Sequence, residues 1–551
     1  MIDVKVAGSL EKIFPDSDWN GPELRSDVAA RGEVYSFQVA VRFRETDNHY
    51  LRVAVESELN AQIRLVEAVP VHLAASRPDD DFLRTTPGLY PDLLDELECK
   101  DRFRVMPRQW RTLWVTVRVG EDCPAGTYPV KLLFSDIDWQ GKWHPETVAT
   151  AEIELKVLPF TLPEQQLLRY EWFHADCLSA YYRVPAWSEE HWRIVENFVH
   201  NAVSHGINVL YVPLWTPPLD TEIGGERPTC QLLDVHQEAD GSYRFGFEKL
   251  ERYLEMGKRL GVKRFGISHL VTQWGAEFTP KIVETLGGGR DRSRKLFGWH
   301  VGSDDPAFKA FLTALMPQLL AVLRRHGLTG RCFFSISDEP SVEHLETYRS
   351  VVEWIVPLLE DFPTVEALSS FDFYQNGLVK NPVPCNNHIE PFVGHVKELW
   401  TYYCCSQEDR VPNRCMAMPS RRNRIMGLLA YVYDLTGFLQ WGFNFYFSQY
   451  SKRLIDPFAC TDAGGAFPAG DPFMVYPGEY GVPLDSIRHE VFREGLQDLR
   501  ALKLLESRIG RGAVLALLNE GLEKPLSMTE YPRTDAWLLG VRSRVYAGLA
   551  E

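Results

Sequence analysis

The chain has no C-x-x-C pair, no histidines at metal-ligand spacing and no run of about 18 consecutive apolar residues. Its first residues, Met1-Ile2-Asp3-Val4-Lys5, do not form a basic stretch followed by an apolar one and a small-residue cleavage site. The first two absences argue against a zinc site or a disulfide framework, and the others against a membrane span or a secretory leader. The expectation is a soluble, cytoplasmic protein with no metal and no cofactor, whose ten scattered cysteines are reduced and structural. Positive charge is also in deficit. With 59 Lys and Arg against 75 Asp and Glu the net charge is −16, which repels phosphate backbones and anionic membranes, so neither nucleic acid nor membrane is expected as a partner.

Aromatic residues, by contrast, are plentiful: 15 Trp, 22 Tyr and 30 Phe, 12% of the chain. An acidic, Trp-rich protein suits a carbohydrate-handling surface, where ring faces stack on the C–H faces of sugars. At 551 residues the chain is too long for one compact core. The first 160 residues alternate in strand fashion with turns between, as in Val34 to Phe43, Tyr50 to Ser57, Ile63 to Leu73, Thr112 to Gly120 and Thr147 to Leu158. That pattern predicts an N-terminal β-sandwich over 1–160. Leu158-Pro159-Phe160-Thr161-Leu162-Pro163 reads as the linker out of it.

From 164 to 507 the pattern becomes strand then helix, repeated. The strands are placed at Leu167 to His174, Asn208 to Pro213, Lys263 to Leu270, Arg331 to Ser337, Val365 to Ser370, a weakly marked Leu378 to Cys385, Leu399 to Tyr403 and Phe438 to Asn444. Helices are predicted from Ser188 to Gly206, Phe247 to Leu260, Pro306 to His326, Ser341 to Leu359, Ser420 to Leu435 and Asp485 to Ser507. Eight such units predict a (β/α)8 TIM-type barrel, and residues 508–551 are left as a helical tail.

The fourth strand ends in Ser337-Asp338-Glu339-Pro340. Two acids there can cap and decorate the first turn of the following helix. They can equally do proton chemistry, since the C-terminal strand ends of such barrels carry the catalytic groups. The other strand ends bring His174 and Asp176, His269 with Gln273-Trp274, Asp372-Phe373-Tyr374-Gln375, Trp400-Thr401-Tyr402-Tyr403 and Gln440-Trp441-Gly442-Phe443-Asn444. A capping role alone predicts no such convergence, which tilts the reading toward catalysis.

Ser337-Asp338-Glu339-Pro340, Leu399-Trp400-Thr401-Tyr402-Tyr403-Cys404, Gln440-Trp441-Gly442, the stretch Gly470 to Gly478, Ser486-Ile487-Arg488 and Arg493 to Asp498 together resemble the catalytic domain of glycoside hydrolase family 123. Arg31 to Gln38 is similar to that family's leading β-sandwich. The resemblance covers nearly the whole chain except the tail, and it implies a retaining exo-β-N-acetylgalactosaminidase using substrate-assisted catalysis, with the family's acidic pair at Asp338 and Glu339. Adjacency argues the same way. A conventional retaining enzyme needs two carboxyl groups facing each other about 5 Å apart across the bond, normally from different strands. Neighbours suffice if the sugar's own 2-acetamido oxygen is the nucleophile.

On this reading Asp338 is ionised and orients the acetamido N–H, while Glu339 is the acid and then the base, with a pKa raised by burial. Tyr402 is the candidate donor to the acetamido carbonyl, or simply packs in the barrel. Trp400 and Trp441 are candidates for an apolar wall, though Trp on barrel strands is commonly core. Asn444, Asp372 and His269 are candidates for sugar hydroxyls, though polar residues at a barrel mouth also satisfy one another. The expected partner is a small carbohydrate or glycoside, with homodimerisation left open. Two alternatives stand: a glycosidase on non-acetamido sugars with Glu277 or Asp372 as nucleophile, and a non-catalytic carbohydrate-binding protein.

Overall fold

The computed structural model describes residues 2–44, 49–138, 140–285 and 294–551. Its N-terminal region is two sheets. One has seven strands in the order Ile2–Gly8, Val34–Phe43, Arg111–Arg118, Asn60–Val71, Gly88–Asp95, Pro483–Ser486 and Tyr476–Pro477, all antiparallel. The other has five: Ser26–Arg31, Trp143–Thr161, Gly126–Ile137, His49–Glu56 and Arg102–Val105. Alternating apolar residues from both sheets, among them Val39, Val41, Leu51, Leu113, Val115, Leu132 and Ile153, form one buried core. Two strands of the first sheet come from near residue 480, so this β-rich region is completed by the C-terminal half of the chain.

The catalytic half is α/β and built on a curled parallel sheet. Six parallel strands run in the order Cys332–Phe334, Arg264–Ile267, Val209–Val212, Leu168–Glu171, Gly437–Gln440 and Trp400–Tyr402. Between its two edges lies a parallel pair of two-residue strands, Glu366–Ala367 and Pro382–Val383, joined to the edges by single bridges, Phe334 to Thr364 and Cys385 to Tyr402. The expected (β/α)8 repeat is therefore met only in part. Pro363, Pro382 and Pro384 remove ladder donors, which keeps the fifth and sixth strands to two residues. The segments after them form one helical turn, Asp372–Gln375, and short 3-10 turns rather than full helices.

The remaining helices follow the apolar periodicity. Glu189–Ser204 begins at Ser188, whose hydroxyl accepts from the His191 amide, and buries Trp192, Val195 and Val199. Glu248–Leu260 ends at Gly261, whose φ of 98° is the left-handed conformation that glycine adopts without strain. Pro306–Arg325 is long and apolar enough to cross a membrane by length and composition. Its Phe308, Phe311, Leu312, Leu315, Leu319 and Leu323 are buried in the core.

Helix Ile487–Ile509 is the joint between the two halves. Its first three turns are strongly polar yet buried, and burying charge requires partners. Arg488 donates in a fork to both oxygens of Asp92 in the N-terminal region (2.8 and 2.9 Å), where the Tyr476 hydroxyl also donates (2.7 Å). Glu490 accepts from Arg64 (2.6 Å), Glu494 from Ser9 (2.8 Å) and Arg424 (2.7 Å), and Gln497 exchanges hydrogen bonds with the Val34 backbone. Residues beyond it form helices Arg511–Asn519 and Asp535–Ala550, and Arg542 and Tyr546 of the second bind Glu33.

Asp92→Asn should therefore strand a buried guanidinium and cost about 3–5 kcal/mol, read as a lower urea midpoint. Asp92→Asn combined with Arg488→Met should recover part of that loss. A single variant as stable as wild type would show that the pair does not hold the halves together.

Candidate active site

The chain between Phe334 and Pro340 leaves the sheet and is stitched to both neighbours. On one side Leu270 N donates to Ser335 O, Val271 N to Ile336 O, the Ser337 hydroxyl to Thr272 O and Trp274 N to Asp338 O (2.8–3.0 Å). On the other, Glu339 N donates to Ala367 O (3.1 Å) and the Ser335 hydroxyl to Val365 O (2.9 Å). Beneath the turn the buried Glu366 accepts from the amides of Ile336 (2.5 Å) and Ser337 (3.3 Å). Glu339 itself has a φ of 44°, a left-handed conformation that a non-glycine residue holds only when its surroundings impose it.

The helix that follows starts later than the acids. A 3-10 turn covers Val342–His344 and the α-helix Leu345–Ile355, neither with a side-chain cap. Asp338 and Glu339 are thus not caps. They line a pocket of about 650 Å3, counting its open mouth, a size suited to a small ligand.

Trp172, Leu439, Ala367 and Phe445 supply its apolar walls, with Trp441 at the side and Trp274 at the mouth. Among the described residues, no Lys or Arg lines it. The one histidine there, His174, accepts at Nδ1 from Arg227 and donates from Nε2 to Trp441 O. Burial and the neighbouring guanidinium push it down to about 3, so it is neutral.

Glu339 Oε1 accepts from the Tyr402 hydroxyl (2.5 Å). Asp338 is buried, and no described residue donates to its carboxylate. Burial first, and then repulsion from Glu339, Glu366 and Asp220, holds the Asp338 carboxyl well above the ordinary range. Burial also raises Glu339, opposed by the Tyr402 hydrogen bond. Two adjacent carboxyls of this kind titrate as a pair.

A third carboxyl in the pocket, Asp220, is pushed up by burial to about 6; its Oδ2 accepts from Tyr450 N (3.0 Å), and its amide donates to Gln273 (2.7 Å). Under the turn, burial takes Glu366 up to about 8 against the pull of the two amides.

The model of the glycoside hydrolase 123 catalytic domain matches residues 172–505. The chain belongs to glycoside hydrolase family 123. No curated protein matches it. The fold of this family 123 hydrolase is similar to that of a family 123 glycoside hydrolase from Clostridium perfringens, a structure described in terms of glycolipid glycan hydrolysis. The TM-score is 0.75 at 13% identity, over 100% of this chain and 98% of that one. A family 5 mannosidase from Rhizomucor miehei is matched at a TM-score of 0.33 and 12% identity, over 66% of this chain and 98% of that one. So distant a likeness adds nothing to the argument.

In this family 123 hydrolase several residues proposed from the sequence lie outside the pocket. Trp400 points the other way along its strand from Tyr402, two residues on, and stands edge-on to Phe333 at 6.0 Å, with the space at Gly437 filled by its indole. Asn444 is buried and bridges the His174 backbone, accepting at 2.9 Å and donating at 3.1 Å, which ties the first strand's end to the eighth's. His269 is packed edge-on to Trp172 at 5.0 Å, and burial lowers it to about 3. Asp372 and Glu277 are exposed, and neither lines the pocket.

Tyr402 does line it, but its proton goes to Glu339 and not outward. Trp441 lines it with Nε1 on Asp471 (2.9 Å). Asp220, Cys404, Cys405 and Glu366 are the residues that the sequence reading missed. Asp220 follows the second strand in a long loop, the kind of segment that builds such sites, and this was its only signal.

Among the described residues one set offers metal-ligand spacing: His205, Asp485 and His489, with ligand atoms within 4.8 Å of one another. The two rings stack at 3.9 Å, 23° from parallel, so their in-plane lone pairs do not converge on one ion, and Arg64 already binds Asp485.

The raised Glu366 has a measurable consequence. The folded state keeps its proton up to about pH 8 while the unfolded chain releases it near 4.5. Folding stability therefore falls as pH rises through that window. Glu366→Gln should flatten the fall in unfolding midpoint between about pH 5 and 8. Wild-type and variant slopes that coincide would place the Glu366 titration elsewhere.

Proposed function

We propose that this family 123 hydrolase is a retaining exo-β-N-acetylhexosaminidase, with N-acetylgalactosamine as the expected sugar, and that the substrate's acetamido group is its nucleophile. The observation that carries this reading is the Asp338 carboxyl, free of protein donors among the described residues, beside a Glu339 held by Tyr402 in a pocket lined by no described cation. On this reading the strands close as an eight-stranded barrel with the pocket at its C-terminal mouth. The acetamido N–H donates to Asp338, which becomes ionised as that contact replaces water. The acetamido oxygen attacks C1 while Glu339 protonates the departing glycosidic oxygen.

The positive charge of the oxazolinium then meets Asp338, and the unpaired carboxyls nearby favour it electrostatically. Glu339, now ionised, takes a proton from the water that opens the ring. Tyr402 holds Glu339 in place through this exchange of roles, and Trp441 with Phe445 walls the acetamido methyl. The alkaline limb of the pH profile should lie above the ordinary glutamic acid range, since burial raises Glu339.

Asp220 supports a second reading. It is a carboxyl from another strand's loop in the same pocket, and it could attack C1 directly with Glu339 as acid. Aryl β-GalNAc, β-GlcNAc and β-Gal substrates run beside Asp338→Asn, Glu339→Gln and Asp220→Asn separate the two. We expect turnover of acetamido sugars only, with Asp338→Asn and Glu339→Gln each lowering kcat by about 10²–10⁴. Equal cleavage of β-Gal would overturn the acetamido mechanism.

A further inference from the structure

Among the described residues, the pocket has one exposed lining residue. Trp274 is 44% exposed, whereas Trp172 and Leu439 at the blind end are 5% and 4% exposed. An exposed tryptophan is ordinary by itself, but this one is held in place at a cost. Trp274, Gly275 and Ala276 have successive φ values of 57°, 145° and 57°, and two of the three are not glycine. Such a run persists only where the surroundings over-determine it.

Here the surroundings are the site itself. The Trp274 amide donates to the carbonyl of Asp338 (3.0 Å). Its indole meets the ring of Tyr450 edge-on, at 6.0 Å and 86°. Tyr450, also left-handed at φ 59°, donates its amide to Asp220. The ring at the mouth is thus tied through backbone hydrogen bonds to two of the residues that bring carboxyls into the pocket.

We propose that Trp274, steadied by Tyr450, is the platform on which the first sugar of the leaving group stacks. The proposal rests on the glycosidase reading above and adds what lies beyond the scissile bond. In a blind-ended pocket the sugar being released occupies the buried end, so the group attached to it leaves through the mouth and passes this ring. A pyranose presents a C–H face that an indole attracts and water does not compete for strongly. The occupant we assign is a pyranose and not an acyl chain, because a single ring and its edge-on neighbour match one sugar face.

The test compares two substrates that share the cleaved sugar: methyl β-N-acetylgalactosaminide, with no ring on the leaving side, and a β-N-acetylgalactosaminyl-galactose disaccharide. Trp274→Ala should lower kcat/KM for the disaccharide about tenfold and leave the methyl glycoside within about twofold, while Trp274→Phe retains most of the disaccharide activity. Equal losses on both substrates, or none on the disaccharide, would overturn the platform alone. A wild-type enzyme inactive on both would overturn the glycosidase reading and the platform together.

Discussion

Buried carboxyl groups without a cation are the constraint around which this molecule is organised. Elsewhere its buried acids have partners: Asp92 has Arg488, Asp176 has Arg227, Glu171 has Arg169 and Arg414, Asp498 has Arg424, and Glu490 has Arg64 and Arg493. Asp338, Glu339, Asp220 and Glu366 have none among the described residues, and they lie in or directly beneath one pocket. Such a group costs several kcal/mol to ionise in a dry site, so it stays protonated until something positive arrives. That is the electrostatic condition for stabilising a cationic intermediate and for keeping an acid charged with its proton at neutral pH.

The rest of the structure holds those groups where they would not stay unaided. Backbone hydrogen bonds from the 270–274 segment and from 365–367 fix the strained turn at Glu339. Arg414 ties Glu171 to Gln440 and to the carbonyls of Gly442 and Asp471, so the first and eighth strand ends form a rigid wall. The interlocked charges of helix Ile487–Ile509 then fix this wall against the N-terminal sheets. Preorganisation of this kind spends folding energy to avoid reorganisation during the reaction.

Much of this was legible in the sequence. Period-two and strand-helix patterning located both halves, and the adjacent acids, with His174, Gln273, Trp274, Tyr402 and Trp441, came from asking what sits at strand ends. The failures have physical causes. Trp400 and Tyr402 share a strand, and the pattern does not say which face of a fully buried strand points up the pocket. Asn444 and His269 look like ligand binders by residue type, yet a buried polar side chain is as readily satisfied by neighbouring backbone. The short fifth and sixth strands were obscured by the prolines that shorten them. Asp220 sits in a loop with no periodicity at all, and Glu366 reads as an ordinary strand residue until its position under the turn is seen.

The central claim is that the substrate supplies the nucleophile, and a stable imitation of the cyclised sugar tests it most directly. A GalNAc-derived thiazoline should inhibit competitively and bind at least about a hundredfold more tightly than substrate, with Asp338→Asn abolishing most of that advantage. If the active enzyme ignores the thiazoline and instead accumulates a covalent glycosyl ester on Asp220, the nucleophile belongs to the protein and the account is wrong.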